Sequence, residues 1–431
     1  MRIFRATVLD TPDDPFTGGA LRVDHDGGIA VEHDGIVCAR GGFADVVRDY
    51  PDAEVVDLRP GLLLPGFVDT HVHLPQVRVI GALGMPLLDW LDKCALPEEA
   101  RMADPAYARA VGAEILRGLV AAGTTSALVF GAHFRPAMEA FADAVHESGL
   151  RITTGLVVAD RVLPESLLTT PQRAYDDAVA LADAWADTGL RYAVTPRFSL
   201  SSSSELLDAC GAVAYARPDV FVTSHVNENP VEVERVRELH GTDYVSTYEK
   251  YGLLGGSTVL AHNVHPSDDE LRLLAARRTS VAHCPTSNSA LGSGLFPLRR
   301  HRLAGVRVAL GSDVGAGTGL SLLKEGLQAY FMQQLLGNQG EPLTAAHLLH
   351  LATAAGADAL GLHQVGDLSV GKEFDAVWVS PRSDGVLAGA LEHAKDAEDA
   401  LAKVFALGTD ADLGGVWIGG QVPLARHTLV P

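Results

Sequence analysis

Nowhere in the 431 residues is there an uninterrupted apolar run of about 18 residues, the length a helix needs to cross a bilayer. The opening MRIFRATVLD also lacks the apolar stretch that heads a secreted precursor, so neither membrane spanning nor secretion is expected. Cysteine is scarce. The four residues, at 38, 94, 210 and 284, show no spacing typical of a disulfide framework or a CxxC metal site, and a reducing cytoplasm is the expected compartment. Positive charge is in deficit, with 34 Lys plus Arg against 54 Asp plus Glu and a formal net charge of -20. That excess repels phosphates at long range, which argues against nucleic acid and anionic membranes as partners and leaves a small neutral substrate open. There is no internal repeat, low-complexity tract or linker.

What is present has a clear texture. The first 60 residues read as short strands with Asp-Gly turns at 26–27 and 34–35, the signature of a small β module. Apolar, β-branched runs then alternate with Ala- and Leu-rich amphipathic stretches, the pattern of a parallel sheet covered by helices. Eight such runs occur, at 62–73, 124–130, 151–158, 191–198, 220–226, 257–262, 279–285 and 306–313. This number over this length predicts an α/β fold of the (β/α)8 TIM-like barrel type, with a doubly wound open sheet as the alternative. Strand signals return in GKEFDAVWVS and GGVWIGGQVPLARHTL. We therefore expect a small β-sandwich domain built from both chain termini, residues 1–60 and 367–431, flanking a barrel at 61–366.

In such a barrel the chemistry lies at the C-terminal ends of the strands, so the residues that finish each run are the informative ones. The first run ends in His71-Val-His73, the fifth in His225, the sixth in His262 and the eighth in Asp313. Residues i and i+2 of a strand share a face, so His71 and His73 can point together into the barrel mouth. Each alone has an ordinary reading: a satisfied core histidine, or a helix N-cap at Asp313. Four strand ends carrying metal-ligand types at one rim make a divalent transition metal, most plausibly zinc, the better reading. Glu228, three residues beyond His225, is placed to shuttle a proton, against the plainer role of an acid opening the following helix. The fourth run finishes in TPRFSL with Arg197; none of the six lysines, at 93, 250, 324, 372, 395 and 403, falls there. A lysine-bridged pair of metals is thereby disfavoured and a single metal expected. Cys284 reads as a buried strand cysteine, the glycines of GSDVGAGTG as pocket lining, and His283 as a pocket neighbour. The remaining histidines, 133 and 301 among them, read as mostly surface or helix residues.

These residues resemble the amidohydrolase superfamily and, more narrowly, the guanine deaminases. The resemblance rests on PGFVDTHVHLPQ (65–76), MPLLDWLDKCALP (85–97), VTPRFSLSSS (194–203), SHVNENPVEVERV (224–236), SVAHCPTSNSALGSG (280–294), ALGSDVGAGTGLSLL (309–323) and VGKEFDAVWV (370–379). It implies one zinc per subunit held by His71, His73, His225 and Asp313. Glu228 would be the proton shuttle, Asp313 would also take a proton, and His262 would orient the nucleophile. Gln76, Arg197 and Phe198 would hold the purine. The implied activity is hydrolytic deamination of guanine to xanthine and ammonia by a cytoplasmic homodimer. Two positions depart from the family pattern: Asn227 in HVNEN, where H-I-S-E-N is usual, and Asn263 in Ala261-His262-Asn263, where AHG is usual. Both adjoin the expected machinery, which leaves a modified guanine, a pterin or an aminotriazine as the second reading.

Overall fold

A computed structural model describes residues 1–423. Strands β1 (Arg2–Asp10), β2 (Arg22–Val31), β3 (Val37–Gly42) and β4 (Glu54–Pro65) join β14 (Ala376–Val379) and β15 (Leu413–Trp417) in one six-stranded sheet, in the order β15-β14-β4-β1-β2-β3. Both chain ends thus build one domain. Two strands separate β1 from β15, which in a flat sheet would hold them about 14 Å apart. The rings of Phe4 on β1 and Trp417 on β15 nevertheless have centroids 5.2 Å apart, in one apolar cluster with Phe374, so this sheet encloses a small core of its own. The strand read in GGVWIGGQVPLARHTL is realised as β15; LARHTL, from 424 on, lies outside the described residues.

The second sheet is parallel and contains all eight expected runs. Its strands are β5 (Phe67–His73), β6 (Thr124–Phe130), β7 (Arg151–Gly155) with the short β8 (Val157–Val158), β9 (Arg191–Pro196), β10 (Phe221–Val226), β11 (Thr258–His262), β12 (Ser280–His283) and β13 (Arg307–Leu310). The last strand returns to the first through hydrogen bonds from Asp313 N to His71 O (2.8 Å) and from His73 N to Val314 O (3.0 Å), which closes the barrel. Strands buried on both faces read as continuous apolar runs, and β6 and β10 are buried at every position.

One run divides. Residues 62–73, read as a single strand, split at Pro65-Gly66: Leu62–Pro65 end β4 and pair with β14, while β5 opens the barrel. A Cβ on Gly66 would lie 2.3 Å from Thr125 Oγ1, so only glycine lets the chain pass this close as it crosses between domains.

The helices carry their own start signals. Pro230–His240 opens with Asn229 as N-cap and Glu232 completing a capping box, and Asp268–Arg277 does the same with Ser267 and Glu270. Glu228 therefore lies outside the helix, and the capping role falls to Asn229. Inside the barrel, Val68, Leu128, Ala193, Val259, Ala282 and Ala309 pack on Ala357, Leu360 and Val365, which fills the space beneath the strand ends.

Candidate metal and active site

The strand ends converge as the sequence predicts. One ligand atom each from His71, His225, His262 and Asp313 lies within 4.8 Å of the others, all four residues being buried. His73 joins them, its Nε2 at 3.2 Å from both His225 Nε2 and Asp313 Oδ1. His71 Nε2 lies 3.3 Å from the same Asp313 oxygen. Ligand atoms in a tetrahedral zinc shell with bonds of about 2.0 Å sit about 3.3 Å from one another, and these three spacings match that figure. Two further observations agree. His71 Nε2 is buried with no hydrogen-bond partner. His225 Nδ1 donates to Arg197 O at 2.6 Å, which turns the lone pair of Nε2 toward the cluster.

Electrostatics favour the same protonation states. Burial holds His71, His73 (down to about 4) and His225 neutral, the form that ligates. Burial also works against charge on Asp313, but His71 and His73 outweigh it and hold its carboxyl well below the usual range. Glu228 behaves oppositely: burial, then the nearby Asp313, pushes it up to about 8. Two carboxyl groups with separated affinities for protons suit a division between ligand and acid/base. Glu228 Oε2 sits 3.5 Å from His262 Nε2, and Ser293 Oγ donates to its Oε1 at 3.3 Å. His262 Nδ1 faces Asn288 Oδ1 at 3.1 Å, which orients the ring. Asp313 is no N-cap, since the next helix, Leu322–Leu335, opens at Ser321.

The pocket over this cluster is lined by Gln76, Arg197, Phe198, Glu228 and His262, with Leu87, Trp90, Leu91, Leu291 and Ala316 as its apolar wall. Its open space is narrow, about 20 Å³. A larger cavity of about 570 Å³ lies elsewhere, beside Phe16, Arg302, His350 and Lys372. Its cations are already paired, Arg302 with Glu341 at 2.8 Å and Lys372 with Asp367 at 2.6 Å.

Three histidines bear on these expectations. His283 is fully buried and stacks on Phe296 at 4.2 Å, close to His262 but not itself lining the pocket. His301, expected at a surface or on a helix, is on the helix Leu298–Ala304 yet fully buried, between Phe296 and Asn263. His133 is buried against Glu99, with 3.1 Å between Nε2 and Oε2. Glu99 and Asn288 went unnoticed in the sequence. Glu99 is one of two adjacent glutamates; its neighbour Glu98 meets Tyr107 and Arg101, and nothing local distinguishes the pair. The two departures from the family pattern prove to be partners: Asn227 Nδ2 donates to Asn263 Oδ1, both residues are fully buried, and neither lines the pocket.

A closed (β/α)8 barrel gathering imidazoles and a carboxylate at its C-terminal rim defines, as a class, the metal-dependent hydrolases. Residues 62–422 match the Amidohydrolase family, and the chain belongs to that family as a hydrolase of C–N bonds. It is 58% identical over 436 residues to a probable guanine deaminase of Deinococcus radiodurans, with 99% of each chain covered. The solved guanine deaminase of E. coli superposes with a TM-score of 0.93 at 35% identity, over 98% of this chain and 99% of that one. A guanine deaminase from C. acetobutylicum with guanine bound in its active site superposes with a TM-score of 0.91 at 27% identity, over 98% and 100%.

Proposed function

We propose that this chain is a zinc-dependent guanine deaminase, converting guanine and water to xanthine and ammonia. The observation that carries the reading is the pairing, in one pocket, of a His/Asp cluster with a separate proton-bearing carboxyl, Glu228, and a buried guanidinium, Arg197. His71, His73, His225 and Asp313 would hold one metal ion. When bound, the metal supplies Lewis-acid activation of water at neutral pH.

The chain's own groups do the rest. Glu228 gives its proton to the ring nitrogen next to C2 as water attacks that carbon, and one proton of the water returns to Glu228; Asp313 passes the second from the attacking oxygen to the exocyclic amine, and collapse of the tetrahedral carbon breaks the C–N bond and releases ammonia. His262, its ring fixed by Asn288, orients the attacking oxygen. Arg197 and Gln76 present donors to the purine's carbonyl and ring nitrogen, and Phe198 packs against the ring. Buried donors of this kind reject ligands that leave them unpaired. Because Asn227 and Asn263 satisfy each other behind the pocket, their departure from the family pattern leaves the guanine reading intact. We place the enzyme in the cytoplasm, as a homodimer; among the described residues no helix is long and apolar enough to cross a membrane.

Ammonia release measured on guanine, adenine, cytosine, pterins and aminotriazines tests the reading. Turnover should be greatest on guanine; failure there with turnover of another member would replace it with that heterocycle.

A further inference from the structure

Glu99 has no place in the mechanism above, yet its carboxylate is the meeting point of three strand ends. It lies on the short helix Leu96–Arg101 and is 3% exposed. Arg197 Nη2 donates to Oε1 at 2.8 Å and Nε to Oε2 at 3.3 Å, a two-pronged contact. Gln76 Nε2 donates to Oε1 at 2.8 Å, and His133 Nε2 lies 3.1 Å from Oε2. Four contacts occupy about the four lone-pair directions a carboxylate offers, so Glu99 is saturated.

We propose that Glu99 is a positioning residue that fixes the plane of Arg197 so that its remaining donors meet the carbonyl edge of the substrate, and so sets specificity for an oxo-purine; this rests on the guanine reading above. The physical reason is directional. A fork-to-fork contact fixes the plane of the guanidinium as well as its place. It engages Nε and Nη2 and leaves Nη1, with two N–H groups, outside the contact. Gln76 is held on both sides, its Oε1 accepting from Gly315 N at 3.1 Å and its Nε2 lying against Glu99 Oε1 at 2.8 Å and His73 Nδ1 at 3.3 Å, so it ties Glu99 to the first strand end. Arg197 and Gln76 come from opposite parts of the barrel rim, after β9 and β5, and nothing but Glu99 joins their side chains among the described hydrogen bonds. The stretch leading to Glu99 also supplies Trp90 and Leu91, so one segment ties the apolar wall to the polar edge. The pair is charge-balanced as well: Glu99 keeps Arg197 from standing as an uncompensated buried cation.

A merely structural glutamate would not discriminate between ligands, and that separates the two roles. The readout is the affinity of metal-loaded protein for hypoxanthine, which has the ring carbonyl and no exocyclic amine to lose, and for purine, which has neither. In Glu99→Gln an N–H₂ group is forced among donors, and the affinity for hypoxanthine should fall about tenfold or more while that for purine stays within about twofold. Equal loss on both ligands, or no loss on either, overturns the proposal. Should the Gln variant not fold, Glu99→Asp, which keeps the charge, is judged by the same ratio. Guanine turnover by the wild-type protein is the control: without it the functional reading fails and takes this one with it, whereas an active wild type with an indiscriminate variant sinks Glu99 alone.

Discussion

Asn227 Nδ2 donates to Asn263 Oδ1 across 3.0 Å, one turn of chain behind the residues that carry the chemistry. Asn227 also reaches Glu270 at 3.0 Å, and Asn263 Nδ2 reaches His301 Nε2 at 2.8 Å. Both asparagines hold left-handed backbone, φ 48° and 47°, a conformation this residue type tolerates better than most. They stand directly before Glu228 and after His262. The pair therefore acts as a buried clasp between the ends of β10 and β11.

Replacing one half of this clasp should cost stability and spare selectivity. Asn263→Ala leaves Asn227 and His301 short of partners and puts alanine in left-handed backbone, a loss of about 1–3 kcal/mol. Thermal melting should show it, while the ranking of heterocycles by kcat/KM stays as in the wild type. A changed ranking would mean that the clasp reaches the substrate.

Removing the acid/base function should separate binding of metal from turnover. Glu228→Gln is expected to keep its zinc content and to lose activity by about 10²–10⁴-fold. Metal analysis alongside ammonia release checks both halves; a Gln variant with near wild-type rate would remove Glu228 from the mechanism.

Loss of a ligand should act on both at once. His73→Ala is expected to lose bound metal and activity together. Chelation of the wild-type protein should also lower its melting temperature, because a ligand at 100 times its Kd stabilises the folded state by about 2.7 kcal/mol. Calorimetric melts with and without chelator decide this, and an unchanged melt would place the metal elsewhere.

His301 should make the protein acid-sensitive. Burial lowers its pKa to about 4 from an ordinary 6.5, so the folded state favours the neutral ring. Its contribution is fully present above the unfolded value, about 6.5, and is lost as pH falls toward about 4, by up to roughly 3 kcal/mol. His301→Gln can still donate to Pro297 O and accept from Asn263 without titrating. Urea unfolding at pH 7 and pH 5 should show a smaller difference for the variant than for the wild type; equal differences would clear His301.

Much of this molecule is legible in its sequence because the signals are short-range. A strand's two-residue period puts His71 and His73 on one face, apolar runs mark strands buried on both sides, and Asn229 with Glu232 or Ser267 with Glu270 mark helix starts. The division of the run 62–73 was not legible, since Leu64 and Phe67 are equally apolar and only their partners, Val377 on one side and the barrel on the other, assign them to different domains.

The sequence by itself determined the barrel, the rim and the residue types fit to hold a metal, because these follow from local periodicity and side-chain chemistry. It takes the closed fold to bring Glu99 to Arg197, 98 positions away, to pair Asn227 with Asn263, and to bury His301 against Phe296. Such pairings are set by where closed strands place their ends in space, and no spacing along the chain encodes that distance.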